Sequence, residues 1–364
     1  MRILRACLGL AMLIATVLPA YGAAEPMRSS SPPESAAAEP GSGWLDNAWK
    51  SYKQRFIQSG RVTDDVNRIS HSEGQGYAML IAVKAGDRAS FDEIWQWTRR
   101  ELYINDSGLA AWKWDSRLSP HVSDQNNASD GDILIAWALV EAGSKWKERR
   151  YTDAARPILA AVGRMNTALT KFGLALIPGR IGFSPEDQPD GQVLNLSYWV
   201  FPAFERFKEV EPGTDWAAIQ ATGLQLLKES RFGPLQLPAD WIALGSGKPA
   251  PAKGFPANFS YNAIRIPLYL AWAKINRAEH LRPFASLWNE TLDLGPFEVE
   301  VASGSAITAF GGTGFKAVVA LARCALSQRK VHPSVRRVDA GSYYSTTLHI
   351  LSLIAVQERY PECL

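Results

Sequence analysis

The sequence predicts an all-α body, a ring or stack of helical pairs, and three observations carry that expectation. Apolar residues recur at helical spacing in about eleven segments of the 364-residue chain. Strand signals are confined to one short stretch. After Gly43 no linker-like composition interrupts the chain, and no internal repeat suggests a binding solenoid.

The elements follow in order. Met1–Arg5 is a short basic start, Ala6–Ala20 is almost wholly apolar, and small residues follow at Gly22–Ala24. That order is the signature of a secretory signal peptide over residues 1–24. Its apolar run, about 15 residues, is shorter than the roughly 20 needed to span a bilayer. No later segment is long and apolar enough, so a periplasmic or secreted protein is expected, with no membrane span in the mature chain. Residues 25–42, rich in Pro, Ser and Ala, read as a flexible leader. One domain over 43–364 then remains. Helices are expected at Trp44–Phe56, Glu73–Val83, Phe91–Leu102, Asp132–Ala142, Asp153–Leu169, Trp216–Leu227, Ala263–Trp272, Phe315–Leu326 and Tyr344–Val356. Weaker patterns lie near Ser197–Phe207 and Ala278–Asn289. Asp153 and Asp215 stand where N-caps are expected. Leu174–Ile177 and Arg180–Phe183, separated by Pro178-Gly179, read as a short hairpin.

Composition removes several function classes. Hydrophobic residues make up 46%, which excludes a disordered chain. The 39 basic and 36 acidic residues are interspersed, which argues against a nucleic-acid partner. No two of His71, His121, His280, His332 and His349 lie three to five apart, and no CxxC occurs, so neither metal nor cofactor is expected. Beyond the signal peptide only Cys324 and Cys363 remain, and the sequence leaves their pairing open. The 13 tryptophans are an unusual number; each is either core or a flat platform for a ligand.

Gly74-Gln75-Gly76 lacks the third glycine and the preceding strand of a dinucleotide fingerprint, and no GxSxG is present. What remains is carboxylates among aromatics. Glu73 opens one helix; Asp130 and Asp132 open another. Capping is the ordinary use of a carboxylate there. The glycines after Glu73 admit something close to the backbone.

Three stretches, Ser72-Glu73-Gly74-Gln75-Gly76-Tyr77, Ala128-Ser129-Asp130-Gly131-Asp132 and Ser260-Tyr261-Asn262-Ala263-Ile264-Arg265, come in an order and at distances that resemble glycoside hydrolase family 8. These are inverting cellulases and their relatives, and the likeness is greatest to periplasmic endoglucanases that accompany bacterial cellulose synthesis. Gly60-Arg61-Val62, Leu176–Gly179, Asn195–Tyr198, Ala239-Asp240-Trp241 and Tyr343-Tyr344 add support. The resemblance runs from about Gly43 to the C-terminus. It implies an (α/α)6 barrel, in agreement with the helix count, and a single-chain enzyme acting on β-1,4-glucan without metal or cofactor. It also implies that Glu73 is the proton donor, since a glycosidic oxygen leaves only as it is protonated. Asp130 then stands beside the sugar at the cleavage point, with Tyr198 near the same subsite and Arg265 holding a catalytic carboxylate. Trp112 becomes a sugar-stacking platform; Phe183, Tyr261, Tyr343 and Tyr344 are further substrate contacts. A cellulose synthase or export machine is the implied protein partner.

One departure matters. Typical members carry the general-base Asp where this chain has Asn262, and an amide cannot take a proton from water. The loop Trp241–Tyr261 contains no Asp or Glu. Three expectations follow. Another carboxylate supplies the base, Asp130 first and the Glu186-Asp187-Asp190 loop second. Alternatively Asn262 positions a water whose proton is relayed. Or the chain binds glucan without cleaving it. Chitosan and xylan are the competing substrates within the family.

Overall fold

Two kinds of helix alternate along the chain. The computed structural model describes residues 43–245 and 247–364; the signal-peptide and leader expectations for residues 1–42 lie outside the described residues. The described residues form eleven α-helices: α1 (Trp44–Phe56), α2 (Ser72–Ala85), α3 (Arg88–Glu101), α4 (Ser129–Trp146), α5 (Arg149–Met165), α6 (Phe201–Val210), α7 (Trp216–Glu229), α8 (Ile266–Trp272), α9 (Ala278–Ala285), α10 (Thr313–Ser327) and α11 (Tyr343–Arg359). In α2 every residue from Gly74 to Val83 is buried, so this helix lies inside. By contrast α5 buries a single stripe, Tyr151, Ala155, Ile158, Leu159 and Val162, and turns its charges outward.

The inner helices form a closed ring. In order, α2, α4, α6, α8, α10 and α11 each pack on the next, and α11 packs back on α2. Outside stand α1, α3, α5, α7 and α9. The sixth outer place is taken by one 3-10 turn, Pro333–Val335, against α10. This is an (α/α)6 barrel with one outer helix reduced to a turn. Outer segments return the chain each time, so all inner helices run the same way and their N-termini gather at one end. Short antiparallel ribbons dress that end: Ser70–His71 with Lys113–Trp114, Val193–Leu194 with Ile242–Ala243 and Ala250–Pro251, and Asn258–Phe259 with Phe297–Glu300 and Ala306–Ala309. At the other end an ion-pair network closes the barrel. Lys84 meets Glu141 at 3.3 Å and Glu358 at 2.8 Å, and Arg206 meets Glu141 at 3.1 Å. Cys324 at the end of α10 is disulfide-bonded to Cys363, with a Cα–Cα distance of 6.1 Å.

Three local expectations need correction. The fifth helix begins at Arg149 rather than at an Asp153 cap, because Tyr151 is pulled inside against Phe91 and Trp146; Asp153 instead pairs with Arg156 at 3.1 Å. Asp215 does cap α7, accepting from the Ala218 N–H at 2.9 Å. The hairpin pairs Gly173–Leu176 with Thr167–Thr170, not with Arg180–Phe183. Pro178 is bound elsewhere: its carbonyl accepts from the Ser129 N–H at 2.8 Å, which fixes the start of α4. The helices expected over Ser197–Phe207 and Ala263–Trp272 each open with a 3-10 turn, Leu196–Tyr198 and Ala263–Arg265, ahead of Pro202 and Pro267.

Candidate active site

The site lies where the inner N-termini meet. Glu73 is on the first turn of α2 and Asp130 on the first turn of α4. Two glycines bring these turns together. A Cβ on Gly76 would lie 2.6 Å from Leu134 Cβ, and one on Gly131 would lie 2.0 Å from Ser72 Oγ and 2.8 Å from the Glu73 N. Neither carboxylate is spent on capping α2. The cap is His71, whose Nδ1 accepts from the Gly74 N–H at 3.0 Å. Burial lowers the His71 pKa, with Asp64 and Asp130 acting in the other direction and Arg265 reinforcing it, in keeping with a neutral, accepting ring.

Arg265 organises the carboxyls. Its Nη1 donates to both Glu73 Oε2 and Asp130 Oδ2, the latter at 2.7 Å. Its Nη2 donates to Ser197 Oγ at 2.8 Å and to Asn262 Oδ1 at 2.9 Å. Burial works against the Arg265 cation, yet Glu73, Tyr344, Tyr77 and Asp130 raise its pKa above the ordinary value. Asp130 is 1% exposed. Its pKa is pushed up to about 7 by burial; Arg265 opposes the rise and Glu73 adds to it. Asp132 also reaches about 7 by burial, against bonds from the Ala110 N–H and Asn127. Those bonds, at 2.8 and 2.9 Å, tie the segment leading to Trp112 and the Asn127 turn onto α4. Asp132 therefore anchors loops.

The expected substrate residues divide. Glu73, Tyr261, Asn262, Arg265, Tyr343 and Tyr344 line one cavity of about 520 Å³. Trp112 is partly exposed, its Nε1 held by Asp124 at 2.7 Å and its ring 5.0 Å from Lys113 Nζ, so it is a surface plate and not core. Tyr261 is 45% exposed, set edge-on against Phe310, and its carbonyl accepts from Tyr344 Oη at 2.7 Å. Tyr343 differs from expectation. It is 1% exposed, with its ring edge-on to Phe56 at 5.8 Å, because the first turn of α11 is packed against α1; it forms wall, not platform. Tyr198 lies 5.5 Å from the Arg265 guanidinium. Phe183 stacks on Trp241 at 5.6 Å, within a small aromatic cluster completed by Phe255. In the Glu186-Asp187-Asp190 loop, Asp187 accepts from Gly182 and Ser184 and Asp190 Oδ2 from the Lys253 N–H, while Glu186 is exposed. Sequence reasoning missed Asn195, Ser197 and Asp240 as members of the site. Among the described residues no cluster of His, Cys, Asp or Glu could hold a metal.

A cleft at the N-terminal end of an (α/α)6 barrel, with two carboxyls on one arginine and aromatic plates beside them, defines a glycoside hydrolase. The chain belongs to glycosyl hydrolases family 8, whose family model matches residues 34–358. It is 35% identical over 349 residues to a probable endoglucanase of Novacetimonas hansenii, covering 94% of this chain and 98% of that one. An endoglucanase of Cellulomonas uda is 41% identical over 232 residues, 63% of this chain and 64% of its own length. Among solved structures, the endo-β-1,4-glucanase of Acetobacter xylinum superposes with a TM-score of 0.79 at 34% identity, covering 86% of this chain and 98% of that one.

Proposed function

We propose that this chain is an exported endo-1,4-β-glucanase that cleaves cellulose-type chains with inversion, with Glu73 as general acid. The endoglucanase names of relatives matched over nearly their whole length support the activity and the substrate class. The position of Glu73 carries the assignment: it lies on the cavity, hydrogen-bonded through Oε2 to Arg265, which leaves Oε1 for the transferable proton. As the glycosidic C–O bond breaks, that proton passes to the departing oxygen, and water attacks the anomeric carbon from the opposite face. Asp130, next to Glu73 on Arg265 Nη1, takes the water's proton; it lies behind the cavity wall, with Oδ1 accepting from the Gly131 N–H at 2.8 Å, and burial raises its pKa to about 7. Without substrate, the facing oxygens of Glu73 and Asp130 share one nitrogen and lie closer than the roughly 6.5–9.5 Å of an inverting pair. Inversion by this pair requires Glu73 to move off Arg265 when a sugar ring enters, leaving room for the water.

Glu73→Gln keeps size and polarity but loses the proton. The purified, folded variant should lose about a hundredfold or more of its turnover on soluble cellulose derivative. Asp130→Asn should be comparably impaired, and NMR of the first products should show the inverted anomer from the natural sequence. Near-full activity in either variant defeats the corresponding role. Glucan binding without product after long incubation would leave a binding protein. Chitosan and xylan in the same panel settle substrate choice.

A further inference from the structure

Behind the reacting carboxyls lies another buried acid. Asp240 is 9% exposed. Its Oδ1 accepts from the Ser260 and Ala263 N–H groups at 2.9 and 2.8 Å. Its Oδ2 accepts from the Asn262 N–H at 3.3 Å and from Asn262 Nδ2 at 3.2 Å. One carboxylate thus holds the whole turn from which Arg265 projects.

The amide of Asn262 is oriented by this contact. A carboxylate only accepts, so Nδ2 must face Asp240 and Oδ1 must face away. There Oδ1 takes Arg265 Nη2 at 2.9 Å and Asn195 Nδ2 at 3.0 Å. Both acceptor sites of Oδ1 are then filled, and it has none left to draw on an attacking water. What Asn262 does instead is fix one end of the guanidinium, whose other nitrogen serves Glu73 and Asp130.

We infer that Asp240 is a positioning residue for the reaction: it carries, behind Asn262, the negative charge that family resemblance places at position 262, and through Asn262 it aims Arg265 at Glu73 and Asp130. The inference rests on the reading of those two carboxyls as the reacting pair. The connection Asp240–Asn262–Arg265 needs one anion and one amide, in either order. Asp240→Asn sets two amide donors face to face, so the Asn262 amide turns over and presents Nδ2 to Arg265. Asn262→Asp sets two carboxylate oxygens where 3.2 Å now separates acceptor from donor. The double exchange Asp240→Asn/Asn262→Asp restores a donor against an acceptor, with an oxygen again turned to Arg265 and Asn195.

The test is this double-mutant cycle on the full chain, with kcat and KM measured on a soluble cello-oligosaccharide. Each single variant should lose about tenfold or more in kcat with KM changed less than about threefold, because misaligned reacting groups cost turnover rather than binding. The exchange should recover to within about fivefold of the natural chain or exceed it. A purely structural Asp240 would instead give variants whose folded fraction falls while kcat per folded molecule holds. Asp240→Asn with kcat within twofold overturns the inference. So does an exchange variant no more active than Asn262→Asp, a comparison that stands even if Asp240→Asn does not fold. Glu73→Gln, assayed alongside, separates the two failures: its retention of activity sinks the reading of the carboxyls, whereas an inert Glu73→Gln beside an unimpaired Asp240→Asn sinks only the role of Asp240.

Discussion

Gly131→Ala adds one methyl group where α2 and α4 cross. The new Cβ would sit 2.0 Å from Ser72 Oγ, 2.7 Å from Ser72 Cβ and 2.8 Å from the Glu73 N. The hydroxyl can rotate away; the Cβ and the backbone nitrogen cannot. Ordinary contact begins at 3.4 Å, so the two helix starts must part by about 0.6–0.7 Å, the difference from the 2.8 and 2.7 Å contacts. Glu73 rides on one start and Asp130 on the other, and the shift passes directly into their separation. Misplacement by roughly 1 Å can cost about a hundredfold in rate, so kcat should fall by about ten- to a hundredfold. Overpacking should also cost about 1–3 kcal/mol of stability. Gly163→Ala is the control. On α5, its Cβ would meet Thr214 Oγ1 at 2.0 Å and Thr214 Cβ and Cγ2 at 3.1 and 3.2 Å, a milder crowding on an outer helix. It should lose stability and keep kcat within about twofold. Thermal melts and kcat on soluble cellulose derivative give both quantities. Natural kcat in Gly131→Ala, or kcat falling in both variants in step with stability, would refute the reasoning.

Other predictions follow from single features. Trp112→Ala should weaken oligosaccharide binding by about 1–3 kcal/mol in calorimetry while its melting temperature stays near that of the natural chain, since the ring is partly exposed; the reverse pattern would make it packing. Cys324→Ser should lower stability by about 4 kcal/mol, the loop-closure value for a separation of 39 residues, and denaturant unfolding with and without reductant checks it. Asp132, with its folded pKa raised to about 7 by burial, keeps a proton that the unfolded carboxyl releases near 3.9. Its stabilising effect is complete below about pH 4 and is lost as pH rises through about 7. Denaturant midpoints should therefore fall between pH 5 and pH 8, less steeply in Asp132→Asn; an identical slope in that variant would exclude Asp132 as the cause.

Helical spacing made the barrel legible, because inner helices such as α2 and α4 are apolar nearly all round and outer ones such as α5 carry a stripe. The lengths of α1 and α11 needed little more than that spacing. Where packing outweighs local signal, the reading slipped: Tyr151 moves the start of α5 upstream to Arg149, and Gly173–Leu176 pairs backward with Thr167–Thr170 rather than forward. In the site, Glu73, Asp130 and Arg265 were legible from their motifs. Tyr343 lines the cavity as expected of a contact, but its burial as wall was not legible, because adjacent residues on a helix face different ways and its neighbour Tyr344 is the one that reaches Tyr261. Asp240 was passed over since nothing in Ala239-Asp240-Trp241 shows that its partners lie some 20 residues on, at Ser260, Asn262 and Ala263. The one available signal was indirect. An amide where a carboxylate is customary asks what anion has been left nearby, and the nearest one upstream was Asp240.

The contact between α1 and α11 has a consequence for topology. Trp44 Nε1 donates to Gln357 Oε1 at 3.0 Å, joining residues 313 positions apart, and α11 packs on both α1 and α2. The circle of helices has no privileged first member; α11 closes it on α1 and α2 by packing, though more lightly than α2 packs on α4. A circular permutant that joins the C-terminus to Gly43 by a short flexible linker, and opens the chain at the exposed turn around Pro212 between α6 and α7, keeps every helix beside its present neighbours. Such a rearranged chain should hydrolyse glucan while folding in a different order, so the order in which helices leave the ribosome is separable from the architecture they build.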